Sequence, residues 1–255
     1  MLKGPPPATL PLALDEALLQ VESSRAKRVL FWGERVAGVS SYLAGWMAGE
    51  GIDVIVLDGA NGFDPYTVSS FARKALIPPE KLLKRIRIAR AFTCYQMATL
   101  TERLELLLCQ EGTIQTGRLS SPVRKPYIVL LGPVTPFLDE DVPEREARPL
   151  FERTLRKMEA LAEEKVPFFL FQSSWGSHRN PSYPSLAKGR RSGIMSSRGD
   201  CFMKKLFQFS SLTWKVSLED EGPNLVLEKR IQGRRGDLLL SSGVNGSLGV
   251  WVIEK

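Results

Sequence analysis

The residues with the clearest chemical potential lie between Arg28 and Ser41, where the sequence reads RVLFWGERVAGVSS. An apolar strand precedes Gly33, Gly38 and Ser40, which have the spacing of the phosphate-binding motif GxxxxGK[ST]. In that motif, backbone N–H groups hold the phosphates and the lysine neutralises them. Val39 occupies the lysine position. An ammonium group ~4 Å from a phosphate oxygen contributes roughly 4 kcal/mol at an effective dielectric constant of about 20, so the sequence predicts a phosphate loop that lacks its main cation.

The length and composition place this loop in a globular protein. The chain has 255 residues, of which 43% are apolar and 25% are charged, which suits a large α/β domain and excludes a disordered chain. We expect residues 1–11 to form a flexible, proline-rich tail and residues 12–255 to form a single domain. The net charge of +7 favours a polyanionic partner such as nucleic acid.

Cysteine and histidine usage argues against metal and disulfide chemistry. The three cysteines, Cys94, Cys109 and Cys201, form no CxxC pair, and His178 is the single histidine, so neither a zinc site nor a disulfide framework is indicated. No apolar run has the ~18 residues of a membrane span, and the N-terminus has no signal-peptide core. We therefore expect no metal, no membrane association and a cytoplasmic location, associated with the nucleoid if the source is prokaryotic.

Apolar runs alternate with helical patterns over the first two thirds of the chain. The predicted strands are Val29–Trp32, Asp53–Asp58, Ile86–Phe92, Tyr127–Leu131 and Val166–Gln172. The predicted helices are Leu12–Leu19, one through Tyr42–Met47 that ends near Gly49, Tyr66–Leu76, a short one opened by Pro78 and Pro79, Tyr95–Gln110 and Arg145–Lys165. This alternation predicts an α/β fold with a mostly parallel sheet flanked by helices.

The pattern changes after the fifth predicted strand. Residues 173–200 form a long stretch rich in Gly, Ser, Pro and Arg, which predicts a loop. The short apolar runs beyond it predict strands at Leu206–Leu212, Val216–Leu218, Leu225–Arg230 and Leu248–Ile253. We expect these strands to extend one edge of the sheet in antiparallel fashion.

Several of these segments together resemble the RecA/RadA strand-exchange recombinases, in particular their archaeal and eukaryotic branch, over Leu14–Gln172. LDEALL is similar to the family's LDxLL helix, GERVAGVSS to GExxxGKTQ, and VIVLDGANGFDP to IDTEGTFRP. The closest similarity is that of PPEKLLKRIRIARAFTCYQM, at Pro78–Met97, to the family's D-P-E-x-V-L-x-N-I-x-V-A-R-A run and the aromatic and H-Q positions that follow. The resemblance implies a RecA-like P-loop core.

The departures from the family pattern fall on the groups that carry its chemistry. The lysine position holds Val39, the catalytic glutamate position holds Ala60, and the Walker B aspartate position holds Gly132. Losing one electrostatic stabiliser costs about 10²- to 10³-fold in rate, so the resemblance implies a pseudo-ATPase without catalytic residues. The degenerate nucleotide pocket would comprise Gly33, Gly38, Val39, Ser40, Ser41, Ala60, Gly132 and the nucleotide-sensing position Gln172.

Blander alternatives remain open for this pocket. With the alignment shifted by a residue, Asp58 would replace the missing carboxylate, or Asn61 would position water. Lys27 or Arg28 would reach the phosphates from nearby. Ser40 and Ser41 would only cap the helix, and the two glycines would serve only a tight turn.

In the resembled family, loops after the fourth and fifth strands contact DNA. Here the second of these loops mixes cations with aromatic rings, the combination that single-stranded nucleic-acid sites use, whereas the first loop position is acidic at residues 139–141. The candidate DNA-binding residues are Trp175, Arg179, Tyr183, Lys188, Arg190, Arg191, Arg198, Lys204 and Lys205. The alternative is a solvated loop whose charge binds nothing specific.

The sequence therefore predicts a catalytically inactive recombinase paralogue. It would bind DNA, single-stranded DNA in the first place, and assist homologous recombination or repair, alongside an active recombinase or another paralogue. It would need no cofactor, although ATP binding without hydrolysis stays open. Two other hypotheses are an adaptor that docks on an active recombinase without binding DNA, and an ATPase that uses non-standard catalytic residues.

Overall fold

The computed structural model describes residues 26–114, 125–164, 166–174, 192–219 and 222–230. The predicted tail 1–11, the helix Leu12–Leu19 and the strand Leu248–Ile253 lie outside these residues. No helix in the described ranges combines the length and apolar character that crossing a bilayer requires.

Strands and helices alternate along the described chain. The strands are β1 (Arg28–Gly33), β2 (Val54–Asp58), β3 (Ile86–Arg90), β4 (Tyr127–Leu131), β5 (Phe168–Ser173), β6 (Leu212–Glu219) and β7 (Gly222–Arg230). The helices are α1 (Val36–Gly49), α2 (Pro65–Lys74), α3 (Pro79–Leu83), α4 (Cys94–Ile114), α5 (Glu144–Glu163) and α6 (Ser192–Phe209), with a 3₁₀ turn at Thr135–Leu138.

The seven strands form one sheet in the order β3-β2-β4-β5-β1-β6-β7. Strands β1 to β6 are parallel, and only β7 runs antiparallel, against β6. The prediction of an α/β fold with a mostly parallel sheet is confirmed. The expectation that all C-terminal strands are antiparallel is wrong for β6, because α6 connects β5 to β6 and such a crossover brings the next strand in parallel.

A hydrophobic layer covers each face of the sheet. On one face, α1, α2 and α3 pack over alternate side chains of β1, β2 and β4. On the other face, α4, α5 and α6 pack over the remaining side chains. Strands β2 and β4 are almost entirely buried, as expected for parallel strands covered on both sides.

Helix starts and the buried strands follow the sequence signals closely. Strand β4 has the predicted bounds, and α3 begins at Pro79 as expected. Helix α4 begins with a capping box, in which the Thr93 hydroxyl accepts from the Gln96 N–H at 3.2 Å and the Gln96 side chain accepts from the Phe92 N–H at 2.8 Å. This box fixes where β3 ends and α4 begins.

Helix α6 corrects two predictions. It occupies the last part of the predicted loop 173–200 and the first part of the predicted strand Leu206–Leu212. Its buried residues Phe202, Met203, Leu206 and Phe209 recur at helical spacing against α5 and the 3₁₀ turn. That tertiary packing outweighs the low helix propensity of its Ser- and Gly-rich start.

Arg198 fastens α6 to the segment that follows β4. Its guanidinium group donates hydrogen bonds to the carbonyl oxygens of Phe137 at 2.6 Å, Asp139 at 3.2 Å and Val142 at 3.0 Å. The guanidinium carbon also lies 5.9 Å from the centre of the Phe202 ring. Arg198 therefore has a structural role in joining α6 to the segment that follows β4.

We predict that Arg198→Lys lowers the free energy of unfolding by about 2–3 kcal/mol. The donors of a lysine radiate from one nitrogen and cannot reproduce the fork in which two guanidinium nitrogens bind the three carbonyl groups. Lys204→Gln, on the exposed side of the same helix, should change the free energy of unfolding by less than about 0.5 kcal/mol. Urea unfolding of both variants measures the difference. Equal stability of the two variants would contradict the structural role of Arg198.

Candidate functional site

The connection from β1 to α1 is much shorter than a phosphate-binding loop. Only Glu34 and Arg35 lie between the strand and the helix, and Arg35 has left-handed backbone angles (φ 49°, ψ 24°). The N–H groups of Gly38 and Val39 both point to the Arg35 carbonyl oxygen, at 3.1 and 3.4 Å. In the GxxxxGK[ST] motif such N–H groups face the phosphates; here they close the first turn of α1.

Gly33 allows a close approach between β1 and β6. Its φ is +130°, and a Cβ atom added there would lie 2.0 Å from the Val216 carbonyl oxygen. That oxygen accepts from the Glu34 N–H at 2.9 Å, and the Gly33 carbonyl accepts from the Ser174 N–H at 2.9 Å. Gly33 therefore serves strand-to-strand packing at the end of β1.

The side chains of the three residues that follow Gly38 are buried. Val39 is in the core, 3% exposed, and Ser40 and Ser41 are fully buried. Both hydroxyls donate to the Ala37 carbonyl oxygen, at 2.7 Å from Ser40 and 3.1 Å from Ser41. Ser41 also accepts from the Asp64 N–H at 2.9 Å. The two serines thus neither cap the start of α1 nor extend toward a metal in this conformation.

Ala60 and Gly132 are packed against each other. Gly132 has φ +65°, and a Cβ atom there would lie 2.6 Å from the Ala60 Cβ and 2.8 Å from the Thr135 hydroxyl oxygen. The neighbouring Gly59 N–H donates to the Leu131 carbonyl at 2.7 Å. The loops after β2 and β4 therefore meet where the resembled family has its two carboxylates.

The polar side chains beside this contact are engaged by backbone groups. Asp58 is 1% exposed, accepts from the Gly62 and Phe63 N–H groups at 3.1 Å each, and lies 3.6 Å from the Arg90 guanidinium. Gln172, also 1% exposed, accepts from the Val134 N–H at 3.0 Å and donates to the Ser173 carbonyl at 3.3 Å. Both residues hold the loops that follow the strands.

The two basic residues considered as substitute cations precede or open β1, at the opposite end of the strand from Gly33. The Arg28 guanidinium pairs with Glu159 and lies 5.2 Å from the centre of the Phe209 ring. Asn61, considered as a water-positioning residue, is exposed with φ 50°. In the described ranges, no three His, Cys, Asp or Glu side chains form a group that could hold a metal ion.

Most of the candidate DNA-binding residues lie outside the described residues. These are Trp175, Arg179, Tyr183, Lys188, Arg190 and Arg191. The three others lie in α6, where Arg198 is bound to carbonyl groups, Lys205 pairs with Glu152, and Lys204 is exposed. The hydrogen bond from Lys205 lowers the pKa of the Glu152 carboxyl below its usual value.

The sequence analysis overlooked a second group of cations. Exposed basic side chains crowd α2, α3 and β3 at the β3 edge of the sheet. They are Arg73, Lys74, Lys81, Lys84, Arg85, Arg87 and Arg90. The signal in the sequence was their segregation from acidic residues.

The chain matches no known protein-family model and none of the curated proteins with which it was compared.

The two motif glycines should respond oppositely to alanine. Gly33→Ala should lower the free energy of unfolding by at least about 3 kcal/mol, because of positive φ and the contact with the Val216 carbonyl. Gly38→Ala, whose Cβ would meet no atom within 4 Å, should raise it by up to about 1 kcal/mol, since alanine favours the helix. Thermal and urea unfolding measure both effects. A destabilising Gly38→Ala would mean that Gly38 does not lie in the helix.

An aspartate at position 132, which the resemblance aligns with the Walker B aspartate, should destabilise the fold. Gly132→Asp should cost at least about 3 kcal/mol, because it combines strained backbone angles, contact with Ala60 and a buried charge. Asn61→Asp, an exposed position where aspartate tolerates positive φ, is the matched control and should change stability little. Scanning calorimetry measures the stability of both variants, and a phosphate-release assay measures their ATP hydrolysis. A stable Gly132→Asp protein that hydrolyses ATP would contradict the described packing.

Proposed function

We propose that this chain is a catalytically inactive RecA/RadA-like recombinase paralogue that binds single-stranded DNA and assists homologous recombination or DNA repair. It would act alongside an active recombinase or another paralogue. The sequence resemblance supplies the family, and the described sheet, parallel apart from β7, is consistent with a RecA-like core.

The observation that carries DNA binding is the position of the basic segment 175–191. It contains Arg179, Lys188, Arg190 and Arg191 and no acidic residue, and it connects the carboxyl end of β5 to α6. Open α/β sheets bind their ligands outside the carboxyl ends of the strands. Trp175 and Tyr183 would add stacking contacts of ~1–3 kcal/mol per base.

The proposal that ATP is not hydrolysed is supported by the three positions at which the resembled family has its lysine and two carboxylates. Val39 is buried, the hydroxyl of Ser40 is bonded to the Ala37 carbonyl, and Gly132 packs on Ala60. Hydrolysis would require α1 to unwind by about one turn and the two loops to separate. We propose that the former nucleotide site now stabilises the core.

DNA binding is tested with three arginines of the segment. Fluorescence anisotropy with an oligothymidine should show binding whose affinity falls with salt. In the variant Arg179→Gln/Arg190→Gln/Arg191→Gln, the magnitude of the slope of log affinity against log salt should decrease by roughly 2, at ~0.7 per lost contact. The control, Arg103→Gln/Arg145→Gln/Arg156→Gln, removes the same charge from exposed positions on α4 and α5.

Two results would overturn the proposal. One is an absence of oligothymidine binding by the native protein at low salt. The other is a segment variant whose salt dependence equals that of the control. Copurification with an active recombinase, without DNA retention, would instead favour the adaptor hypothesis.

A further inference from the structure

One described segment of the chain is strongly basic. Between Pro65 and Arg90 there are seven Lys or Arg residues and a single acid, Glu80, so that 26 residues carry +6 of the chain's net +7. Helix α5 offers a comparison, since its Glu144–Glu163 sequence contains five basic and five acidic residues. Residues 65–90 are therefore a strongly basic part of the described chain, whereas α5 is balanced in charge.

These cations share one region of the surface. Helix α2 packs on α3, which leads directly into β3, and β3 is an edge of the sheet. All seven side chains are exposed. We name this region, formed by the basic residues of α2, α3, β3 and the connection between α3 and β3, the basic edge.

Part of the basic edge is neutralised within the fold, and part is not. Arg85 bonds to Asp53 at 2.9 Å, and Arg90 lies 3.6 Å from Asp58, yet both arginine side chains remain about half exposed (45% and 46%). Arg73, Lys74, Lys81 and Lys84 make no ion pair with another described residue. By contrast, α5 pairs Arg153 and Lys157 with acids of α4.

Structural needs account for only some of these charges. Cations on an edge strand prevent edge-to-edge aggregation, which would explain Arg87 and Arg90. Arg73 and Lys74 in the last turn of α2 complement the helix dipole. Lys81 and Lys84 likewise lie in the last turn and at the C-cap of the five-residue helix α3, but the dipole of so short a helix is small. Four exposed cations without acidic partners repel one another unless a polyanion binds.

We propose that the basic edge binds the phosphate backbone of a nucleic acid, at a site separate from the segment 175–191. Strand β5, which precedes that segment, lies three strands from β3 in the sheet, which is ~14 Å at about 4.8 Å per strand. The segment also leads into α6, on the face of the sheet opposite to α2 and α3. One protein could thus hold two nucleic-acid strands or segments.

A lipid surface fits the basic edge less well. A helix that lies on a membrane presents an apolar face to the acyl chains. Here Val68 and Ala72 of α2 and Leu82 of α3 are buried in the core. Tyr66 of α2 and Leu76 just beyond it are exposed, but these two separate side chains do not form a continuous apolar face. Lysines on rigid elements with their charges toward solvent suit repeated phosphates.

The test removes three lysines, Lys74→Gln/Lys81→Gln/Lys84→Gln, in the full chain. Anisotropy is measured with a duplex and with a single-stranded oligonucleotide over a range of salt. The negative slope of log affinity against log salt should become less steep in the variant. We expect its magnitude to decrease by about 2.7 for a duplex or about 2 for a single strand, at ~0.9 and ~0.7 per lost contact. The oligonucleotide whose salt dependence changes in the variant identifies the form of nucleic acid bound. Circular dichroism confirms that the variant is folded.

The α4–α5 triple variant, Arg103→Gln/Arg145→Gln/Arg156→Gln, is the matched control, and the variant of segment 175–191 separates the two sites. If the lysine variant lowers the slope while the segment variant does not, the basic edge binds and the segment proposal fails. If only the segment variant responds, the basic-edge proposal is overturned. Binding of the native protein to phosphatidylserine vesicles, with loss in the lysine variant and no effect on oligonucleotides, would also overturn it.

Discussion

The packing of Gly132 against Ala60 is the contact on which the centre of the structure depends. It brings the loops after β2 and β4 into direct contact, and Asp58 and Gln172 hold these loops through backbone N–H groups. Glycine and alanine permit a separation that a carboxylate on either loop would prevent. The small, uncharged residues at these two positions therefore make the close packing possible.

At the start of α1, residues of the motif likewise have structural roles. With a two-residue connection, Gly38 and Val39 enter the helix and their N–H groups bond to Arg35. A buried valine stabilises this helix start by roughly 1.5–3 kcal/mol, whereas a lysine in its place would have to leave the core. Valine at position 39 therefore supplies a core side chain and no cation for a phosphate.

The sequence predicted the sheet well and the loops poorly, for identifiable reasons. Continuous apolar runs such as Tyr127–Leu131 can be satisfied only by a buried strand, so their bounds were predictable. Helix α6 was missed because its Ser- and Gly-rich start masks the helical spacing of Phe202, Leu206 and Phe209. The structural role of Arg198 was likewise hidden, since its carbonyl partners are about 60 positions away in the chain.

Nucleotide chemistry and polyanion binding place different demands on a fold. The first needs a few groups held at ångström precision at the centre of the sheet, and these positions are now occupied by packed side chains. The second needs only exposed charge, which the α2–α3–β3 surface supplies in excess. Under the proposed functions, the core supplies rigidity and the surface binds the polyanion.

Amide hydrogen exchange of residues 33–41, with and without Mg²⁺ and ATP, tests the central claim most directly. The account predicts that the N–H groups of Gly38 and Val39 are protected in the free protein, because both bond within α1, and that Mg²⁺ and ATP leave their exchange unchanged. Rapid exchange in the free protein, followed by protection on adding nucleotide, would show an open phosphate loop and contradict the account.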